Sequence, residues 1–329
     1  MKQIDPQSIK SILHSKRANI YYLEYCRVLV NGGRVEYVTE QGKKQLYWNI
    51  PIANTSVILL GTGTSLTQAA MRELARAGVM VGFSGGGGTP LFAGTDAQID
   101  IEWLNPQSEY RPTEYLQQWT RFWFDDALRL QAAKKIQILR LEFLESVWLN
   151  PQRANLKDLW SVDKIALLEL TESSRERVRG AQDTTNLLTE EARVTKRLYA
   201  IACNETSYGE FKREGGSKTP DRANRFLDHG NYLAYGLGAT ALWVLGIPFG
   251  FAVLHGKTRR GGLVFDVADL VKDAVILPNA FIHAVEGSRE QEFRDACIAS
   301  LTQCEALDHM IDSIKQVAIE LGRKAQISS

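Results

Sequence analysis

Cysteine is scarce in this chain of 329 residues, and its four cysteines form no C-x-x-C pair. The nearest two, Cys297 and Cys304, lie seven positions apart, which excludes the paired spacing of a structural zinc site. A disulfide framework is typical of much shorter secreted proteins. We therefore expect Cys26, Cys203, Cys297 and Cys304 to be buried free thiols in a reducing compartment.

Net charge is nearly absent too, because 39 Lys and Arg residues are balanced by 38 Asp and Glu residues. A surface that binds nucleic acid would therefore need a local concentration of positive charge, balanced by acidic surface elsewhere. The hydrophobic fraction of 44% and the charged fraction of 23% are typical of soluble globular proteins and argue against a disordered or fibrous one. The length favours two domains.

Apolar runs suited to export or membrane insertion are missing as well. The N-terminal segment has no apolar core followed by a small-residue cleavage site, which argues against secretion. Residues 233–254 carry no charge, but Pro248 and several glycines interrupt them and a basic segment follows at once. We interpret this stretch as a buried helix followed by a turn at 246–250, and expect a cytoplasmic protein with no membrane contact.

The first hundred residues favour strands. Residues 19–30 and 34–39 are rich in β-branched and aromatic side chains, and the Asn31-Gly32 pair between them indicates a hairpin. Further strands are predicted at 46–50, 56–60 and 79–83. One helix is predicted at 66–77, with Thr64 or Ser65 as its N-cap and Gly78 at its end.

Helical periodicity dominates the rest of the chain. It covers residues 114–149, 162–179, 185–206, 222–245, 264–272 and 286–322, and we expect a frayed tail after that. The predicted fold class is α+β, with a β-rich, β-sandwich-like domain at 1–103, a linker at 104–112 and an all-α catalytic domain at 113–329. A polar loop at 205–220 separates two of the helices.

The most informative segment joins a histidine to two aspartates. His255 ends an apolar run and is followed by Lys257, Arg259 and Arg260. Asp266 and Asp269 are three positions apart, so they share one face of a helix, where their like charges require a cation or basic group. Imidazole and carboxylate ligands without thiolates suit Mg²⁺ or Mn²⁺. A surface acidic helix beside a basic loop is the alternative.

Glu190 and Glu191 offer a further ligand. Because they are adjacent, they point about 100° apart on a helix and cannot both face one site. Salt bridges to Arg193, Lys196 or Arg197 would explain both equally well, so periodicity leaves the choice open.

A basic loop precedes the helix at 222–245. It carries five positive charges against three negative ones over 210–225, with Tyr208 and Phe211 available for stacking on bases. Such a loop suits contact with a DNA backbone, and a merely solvated loop remains the alternative. The basic residues are Lys212, Arg213, Lys218, Arg222 and Arg225.

Together these segments resemble the spacer-acquisition integrases of CRISPR systems, nearest to the subtype I-F branch. Order and spacing agree over nearly the whole chain, and Val267, where leucine or isoleucine is common, is a small departure. The matching motifs are Glu191-Ala192 followed by Lys196 and Tyr199, Asp221-Arg-Ala-Asn224, Gly246-Ile-Pro-Phe-Gly-Phe-Ala-Val-Leu-His255, and Leu263-Val-Phe-Asp266-Val-Ala-Asp269.

The resemblance implies an activity and assigns residues to it. It selects Glu191 over Glu190, and implies that Glu191, His255 and Asp269 bind Mg²⁺ or Mn²⁺ with Asp266 as a further ligand or supporting partner. The implied reaction is attack of a spacer 3′-hydroxyl on a phosphodiester of the repeat array. The residues expected to contact DNA are Lys212, Arg213, Lys218, Arg222, Asn224, Arg225, Lys257, Arg259 and Arg260.

The resemblance also implies partners. These are double-stranded DNA, a second copy of the chain bound through the β-rich domain, and a small ferredoxin-like adaptation protein fused to a helicase-nuclease. Two other functions are also consistent with the sequence: a metal-dependent repair nuclease for branched DNA, and a non-catalytic DNA-binding scaffold.

Overall fold

Two compact units are present in the computed structural model, which describes residues 17, 19–41, 44–85, 101–104, 112–156, 158–214, 221–256 and 261–328. The described residues up to 104 form the first unit, and those from 112 onward form the second. Most of the linker predicted at 104–112 lies outside the described residues, although Leu104 still belongs to a strand.

The first unit contains eight described strands, one α-helix and a short 3-10 helix at Ile52–Asn54. The strands and the α-helix are β1 (Asn19–Leu23), β2 (Cys26–Asn31), β3 (Arg34–Gln41), β4 (Lys44–Asn49), β5 (Thr55–Leu60), β6 (Ser65–Leu66), α1 (Gln68–Arg76), β7 (Met80–Ser84) and β8 (Ile101–Leu104). One sheet has the order β1-β5-β7-β8 and the other β4-β3-β2-β6. Apolar side chains of both sheets and α1, including Val28, Ile58 and Leu74, form one buried cluster.

Local backbone geometry explains where these strands turn. Gly32 and Gly33 both have positive φ, +54° and +78°, which suits the tight hairpin between β2 and β3. The single strand predicted at 19–30 is wrong, because the chain breaks at Tyr25, whose φ is +49°. The predicted N-cap is also wrong: Thr67 caps α1 by accepting the Ala70 N–H.

The second unit is helical. Its helices are α2 (Glu114–Trp123), α3 (Asp126–Trp148), α4 (Lys164–Gly180), α5 (Thr184–Thr206), α6 (Arg222–Leu245), α7 (Gly262–Val271), α8 (Leu277–Glu286), α9 (Glu290–Gln303) and α10 (Ala306–Ser328). A π-helical segment, Lys272–Ile276, joins α7 to α8. The predicted α+β class, with a β-rich N-terminal part followed by a helical part, is confirmed.

Several helix boundaries differ from the prediction, and α8 was not predicted. Residues 114–149 form two helices, because the Asp125 side chain accepts the N–H groups of Ala127 and Leu128 and starts α3. Residues 286–322 are likewise interrupted, at Glu305, which has a φ of +53°. The predicted frayed tail is wrong, since α10 continues to Ser328.

Helix α7 lies in the interior, and each of its ten residues is buried. It packs against α3, α6 and α10. Among the described helices none is long and apolar enough to cross a membrane. The four cysteines are free thiols, three of them buried and Cys203 partly buried.

Candidate metal centre

Asp266 of α7 holds the segment that carries His255. Its Oδ2 accepts the N–H groups of Val253 and Leu254 at 2.8 and 3.2 Å, and its Oδ1 accepts the His255 N–H at 3.0 Å. The His255 ring also places Nδ1 2.8 Å from Oδ1. A carboxylate fixes Nδ1 as the donor, which leaves the lone pair of Nε2 free for a ligand. Asp266 thus acts here as the partner of His255.

The His255 ring also lies close to the carboxylates of Glu191 and Asp269. His255 Nε2 lies 3.7 Å from Glu191 Oε2, and His255 Nδ1 lies 4.0 Å from Asp269 Oδ2. Glu191, His255 and Asp269 each offer a ligand atom within 4.8 Å of the other two. They come from α5, from the loop before α7, and from α7 itself.

One oxygen of each carboxylate in this group lacks a hydrogen-bond donor. Glu191 Oε2 and Asp269 Oδ2 are buried and accept no hydrogen bond from the part of the chain that the structure describes. Buried polar atoms without a partner are rare and call for an explanation such as an ion. Oxygen and imidazole donors fit Mg²⁺ or Mn²⁺, so the residues present fit a divalent cation.

A lysine supplies positive charge to the same carboxylates. Lys272, the first residue of the π-helical segment, forms an ion pair with Asp269, and its Nζ lies 3.9 Å from Glu191 Oε1. This lysine was not among the site residues expected from the sequence. Its position three residues after Asp269 is the signal that would have found it, since such residues share a helix face.

The electrostatics of the group follow from burial and mutual proximity. Burial, followed by the charge of Asp269, raises the pKa of Glu191. Burial opposes ionisation of Asp269 too, but Lys272 and His255 outweigh it and hold the pKa of Asp269 below its usual value. Burial likewise works against protonation of His255, yet the Asp266 hydrogen bond and the nearby carboxylates raise its pKa. Such perturbation by charge and burial together is typical of functional sites.

The two adjacent glutamates of α5 have different surroundings. Glu190 pairs with Arg193 through two hydrogen bonds of 2.8 and 2.7 Å. Glu191 instead faces His255 and Lys272. The structure therefore brings Glu191, and not Glu190, to the histidine and aspartate.

A cavity of about 1020 Å³ opens onto this group. Besides Glu191, His255 and Asp269, its lining includes Lys196, Tyr199, Lys212 and Tyr235. Cationic and aromatic side chains around a carboxylate cluster suit a nucleic-acid strand, whose phosphates and bases they contact.

The residues expected to contact DNA occupy different environments. Lys212, Arg222 and Arg225 are exposed. Arg213 donates to Asn224 Oδ1 and pairs with Asp228. Asn224 is buried, and its amide also donates to the Lys212 carbonyl, so it organises the loop from inside. Lys218, Lys257, Arg259 and Arg260 lie outside the described residues.

Comparison with known sequences identifies relatives of this chain. The profile of a family described as CRISPR associated protein Cas1 matches residues 21–278. The CRISPR-associated endonuclease Cas1 of Pseudomonas aeruginosa (strain UCBPP-PA14) is 61% identical over 97% of this chain and 98% of its own. The CRISPR-associated endonuclease Cas1 of Pectobacterium atrosepticum (strain SCRI 1043) is 58% identical over 97% of both chains.

Solved structures share the fold. A TtCas1-DNA complex superposes with a TM-score of 0.64 at 23% identity, covering 91% of each chain. A casposase bound to integration product gives a TM-score of 0.70 at 13% identity, covering 93% of this chain and 91% of the other. At such identities the likeness shows the fold alone.

Proposed function

The chain belongs to the family of CRISPR associated protein Cas1, and from this premise we propose that it is a divalent-metal-dependent DNA endonuclease and integrase. Its reaction is the insertion of spacer DNA into a CRISPR repeat array. One observation carries the metal dependence: ligand atoms of Glu191, His255 and Asp269 lie within 4.8 Å of one another. Glu191 and Asp269 each have a buried oxygen that accepts no hydrogen bond among the described residues.

Each residue of the centre has a defined task in this proposal. Glu191, Asp269 and Nε2 of His255 hold Mg²⁺ or Mn²⁺, and Asp266 fixes the ring of His255 by accepting from Nδ1. When bound, the cation supplies Lewis-acid stabilisation of charge on the scissile phosphate and favours ionisation of the attacking hydroxyl. Lys272 offsets the remaining negative charge of the carboxylates.

The nucleophile decides between joining and cutting. With a spacer 3′-hydroxyl, a new phosphorus–oxygen bond forms as the bond to the leaving 3′-oxygen of the repeat strand breaks. With water as nucleophile, the same displacement is hydrolysis. No covalent protein intermediate is needed, because positioning and charge neutralisation carry the catalysis.

DNA and protein partners complete the proposal. Lys196 and Lys212 at the cavity, with exposed Arg222 and Arg225 nearby in sequence, hold the phosphate backbone. The TtCas1 structure with DNA and the casposase with its integration product support a DNA substrate for this fold. We further propose a homodimer, and a small ferredoxin-like adaptation partner fused to a helicase-nuclease.

Strand transfer tests the proposal. A DNA duplex with 3′-hydroxyl ends is incubated with a plasmid that carries a repeat array, with Mg²⁺, Mn²⁺ or EDTA, and with or without the adaptation partner. We expect metal-dependent joining at the repeat boundary. Metal-dependent cutting of branched DNA without joining would instead identify a repair nuclease. Absence of both activities would leave a DNA-binding scaffold.

A further inference from the structure

Arg140 of α3 contacts both α5, which carries Glu191, and the π-helical segment that follows α7, which carries Asp269. We propose that Arg140 is a positioning residue, which fixes the separation of Glu191 and Asp269 by tying α5 to the π-helical segment through Thr195 and Asp273. This inference rests on the proposed metal centre and adds a residue that touches none of its ligand atoms.

The contacts of Arg140 use the full guanidinium. Nε donates to Asp273 Oδ2 at 2.7 Å, Nη2 donates to Thr195 Oγ1 at 2.9 Å, and Nη1 donates to Gln137 Oε1 at 2.8 Å. Nη2 also pairs with Asp273. Arg140 is 2% exposed, so the group is locked among its partners. A planar guanidinium holds several acceptors in one rigid arrangement, which a lysine cannot do.

Two of the residues that Arg140 contacts each lie one helical turn from a proposed metal ligand. Thr195 follows Glu191 by four residues on α5, and Asp273 follows Asp269 by four residues across the junction of α7 and the π-helical segment. Residues four apart lie on the same side of a helix, one turn away. Arg140 therefore spans the gap between α5 and the π-helical segment, one turn beyond the ligand pair.

Charge alone does not require this arrangement. Lys272 already forms an ion pair with Asp269 and lies 3.9 Å from Glu191 Oε1. The ion pair between Arg140 and Asp273 would satisfy both buried charges without any bond to α5. The hydrogen bond to Thr195 is the contact that links Arg140 to α5, the helix of Glu191. Charge pairing with Asp273 does not need this bond, whereas a positioning role does.

The Thr195→Val substitution tests that contact. Valine has nearly the shape of threonine and leaves the Arg140–Asp273 ion pair intact. The matched control is Thr206→Val on the same helix, where Oγ1 donates, within the part of the chain that the structure describes, only to the Ala202 carbonyl, at 2.7 Å. Arg140→Lys is the second variant, since it keeps the charge beside Asp273 but loses the fork.

The measurement is a calorimetric titration of the full chain with Mn²⁺ in the absence of DNA, with thermal unfolding of each variant as a check on folding. Mutation of a residue that hydrogen-bonds directly to a metal ligand typically lowers metal affinity about 10–100-fold. Because Arg140 and Thr195 do not touch the ligands themselves, we expect Thr195→Val and Arg140→Lys to weaken Mn²⁺ binding by a smaller factor, about three- to tenfold. Thr206→Val should leave it unchanged.

Two results overturn the inference alone. One is wild-type affinity in folded Thr195→Val, and the other is an equal loss in Thr195→Val and Thr206→Val. If Arg140→Lys does not fold, Thr195→Val decides. No Mn²⁺ binding by the wild-type chain would overturn the proposed metal centre, and this inference with it.

Discussion

Oδ1 of Asp266 lies 2.8 Å from Nδ1 of His255, and it also accepts the backbone N–H of that histidine at 3.0 Å. With the N–H groups of Val253 and Leu254 on Oδ2, one buried carboxylate fixes both the loop and the ring. The loop ahead of α7 thereby depends on the same side chain that orients the proposed metal ligand.

Asp266→Asn should reduce both stability and metal affinity. Both oxygens of the Asp266 carboxylate accept backbone N–H groups, but an asparagine amide has only one oxygen, and its NH₂ group cannot accept these bonds. Each hydrogen bond to a charged group contributes about 1.5–3 kcal/mol to stability. We expect a loss of about 2–4 kcal/mol in the free energy of unfolding, measured with urea. Asp295→Asn, at an exposed site bonded to Gln291, is the control and should change little. Equal stability of the two variants would contradict this account.

Glu191→Gln should separate stability from metal binding. Burial and Asp269 raise the pKa of Glu191, so its charge costs stability in the metal-free protein. The neutral amide is therefore expected to leave the metal-free protein as stable as the wild type, or more stable, while Mn²⁺ binding is lost. Thermal unfolding with and without Mn²⁺ checks this. A destabilised variant that still responds to Mn²⁺ would refute it.

Metal removal should lower the stability of the wild type in a predictable way. A ligand present at 100 times its dissociation constant stabilises the folded state by about 2.7 kcal/mol. Unfolding in Mn²⁺ and then in EDTA should show this difference, and Asp269→Asn should abolish it. An unchanged midpoint on adding EDTA to the wild type would argue against a site in the folded protein.

His309 should contribute to acid sensitivity. Its ring stacks on Phe143, and burial, with help from Arg153 and against Asp312, lowers its pKa to about 4. The unfolded chain takes up this proton near pH 6.5, and the folded chain only near the lower value. The free energy of unfolding therefore falls as the pH drops through that window, by about 3 kcal/mol.

The His309→Phe variant isolates this effect. It keeps an aromatic ring beside Phe143 but cannot titrate, so its stability should depend less on pH between 6.5 and 4. His283 also has a pKa lowered by burial and contributes with the same sign, and it is present in both proteins. Parallel pH profiles for wild type and variant would remove His309 as a cause.

Lys212 should contribute to DNA affinity through charge alone. It is exposed and lines the cavity next to the metal centre. Each phosphate contact contributes about one to the slope of log affinity against log salt. Lys212→Ala should reduce that slope by about one, measured by fluorescence anisotropy with duplex DNA. Lys315→Ala, whose lysine pairs with Asp312 on α10, should not alter it.

Much of the fold was predictable from local patterns. The helix at Arg222–Leu245 was predicted with its observed bounds, because Asp221 caps it and Gly246 ends it. The break at Asp125 was missed, since apolar periodicity continues through it and only the capping bonds to Asp125 mark the start of the later helix. The continuation of α10 past Gly322 was missed because this glycine is a packing position, where Gln118 leaves no room for a Cβ.

The candidate site was predictable only in part. Spacing places Asp266 and Asp269 on one face, but it cannot show that Asp266 is occupied by backbone N–H groups while Asp269 is not. Arg140 and Asp273 were not selected, because 133 residues separate them in the chain. Contacts of that range depend on the packing of α3 against the π-helical segment.

We propose that Glu191, and not its neighbour Glu190, belongs to a metal centre that joins DNA. The most direct measurement is the yield of joined product in Mn²⁺ for wild type, Glu191→Gln and Glu190→Gln, with folding of each checked by circular dichroism. We expect full joining by wild type, near-normal joining by Glu190→Gln, and none by Glu191→Gln. Joining retained by folded Glu191→Gln, or lost equally in both variants, would contradict it.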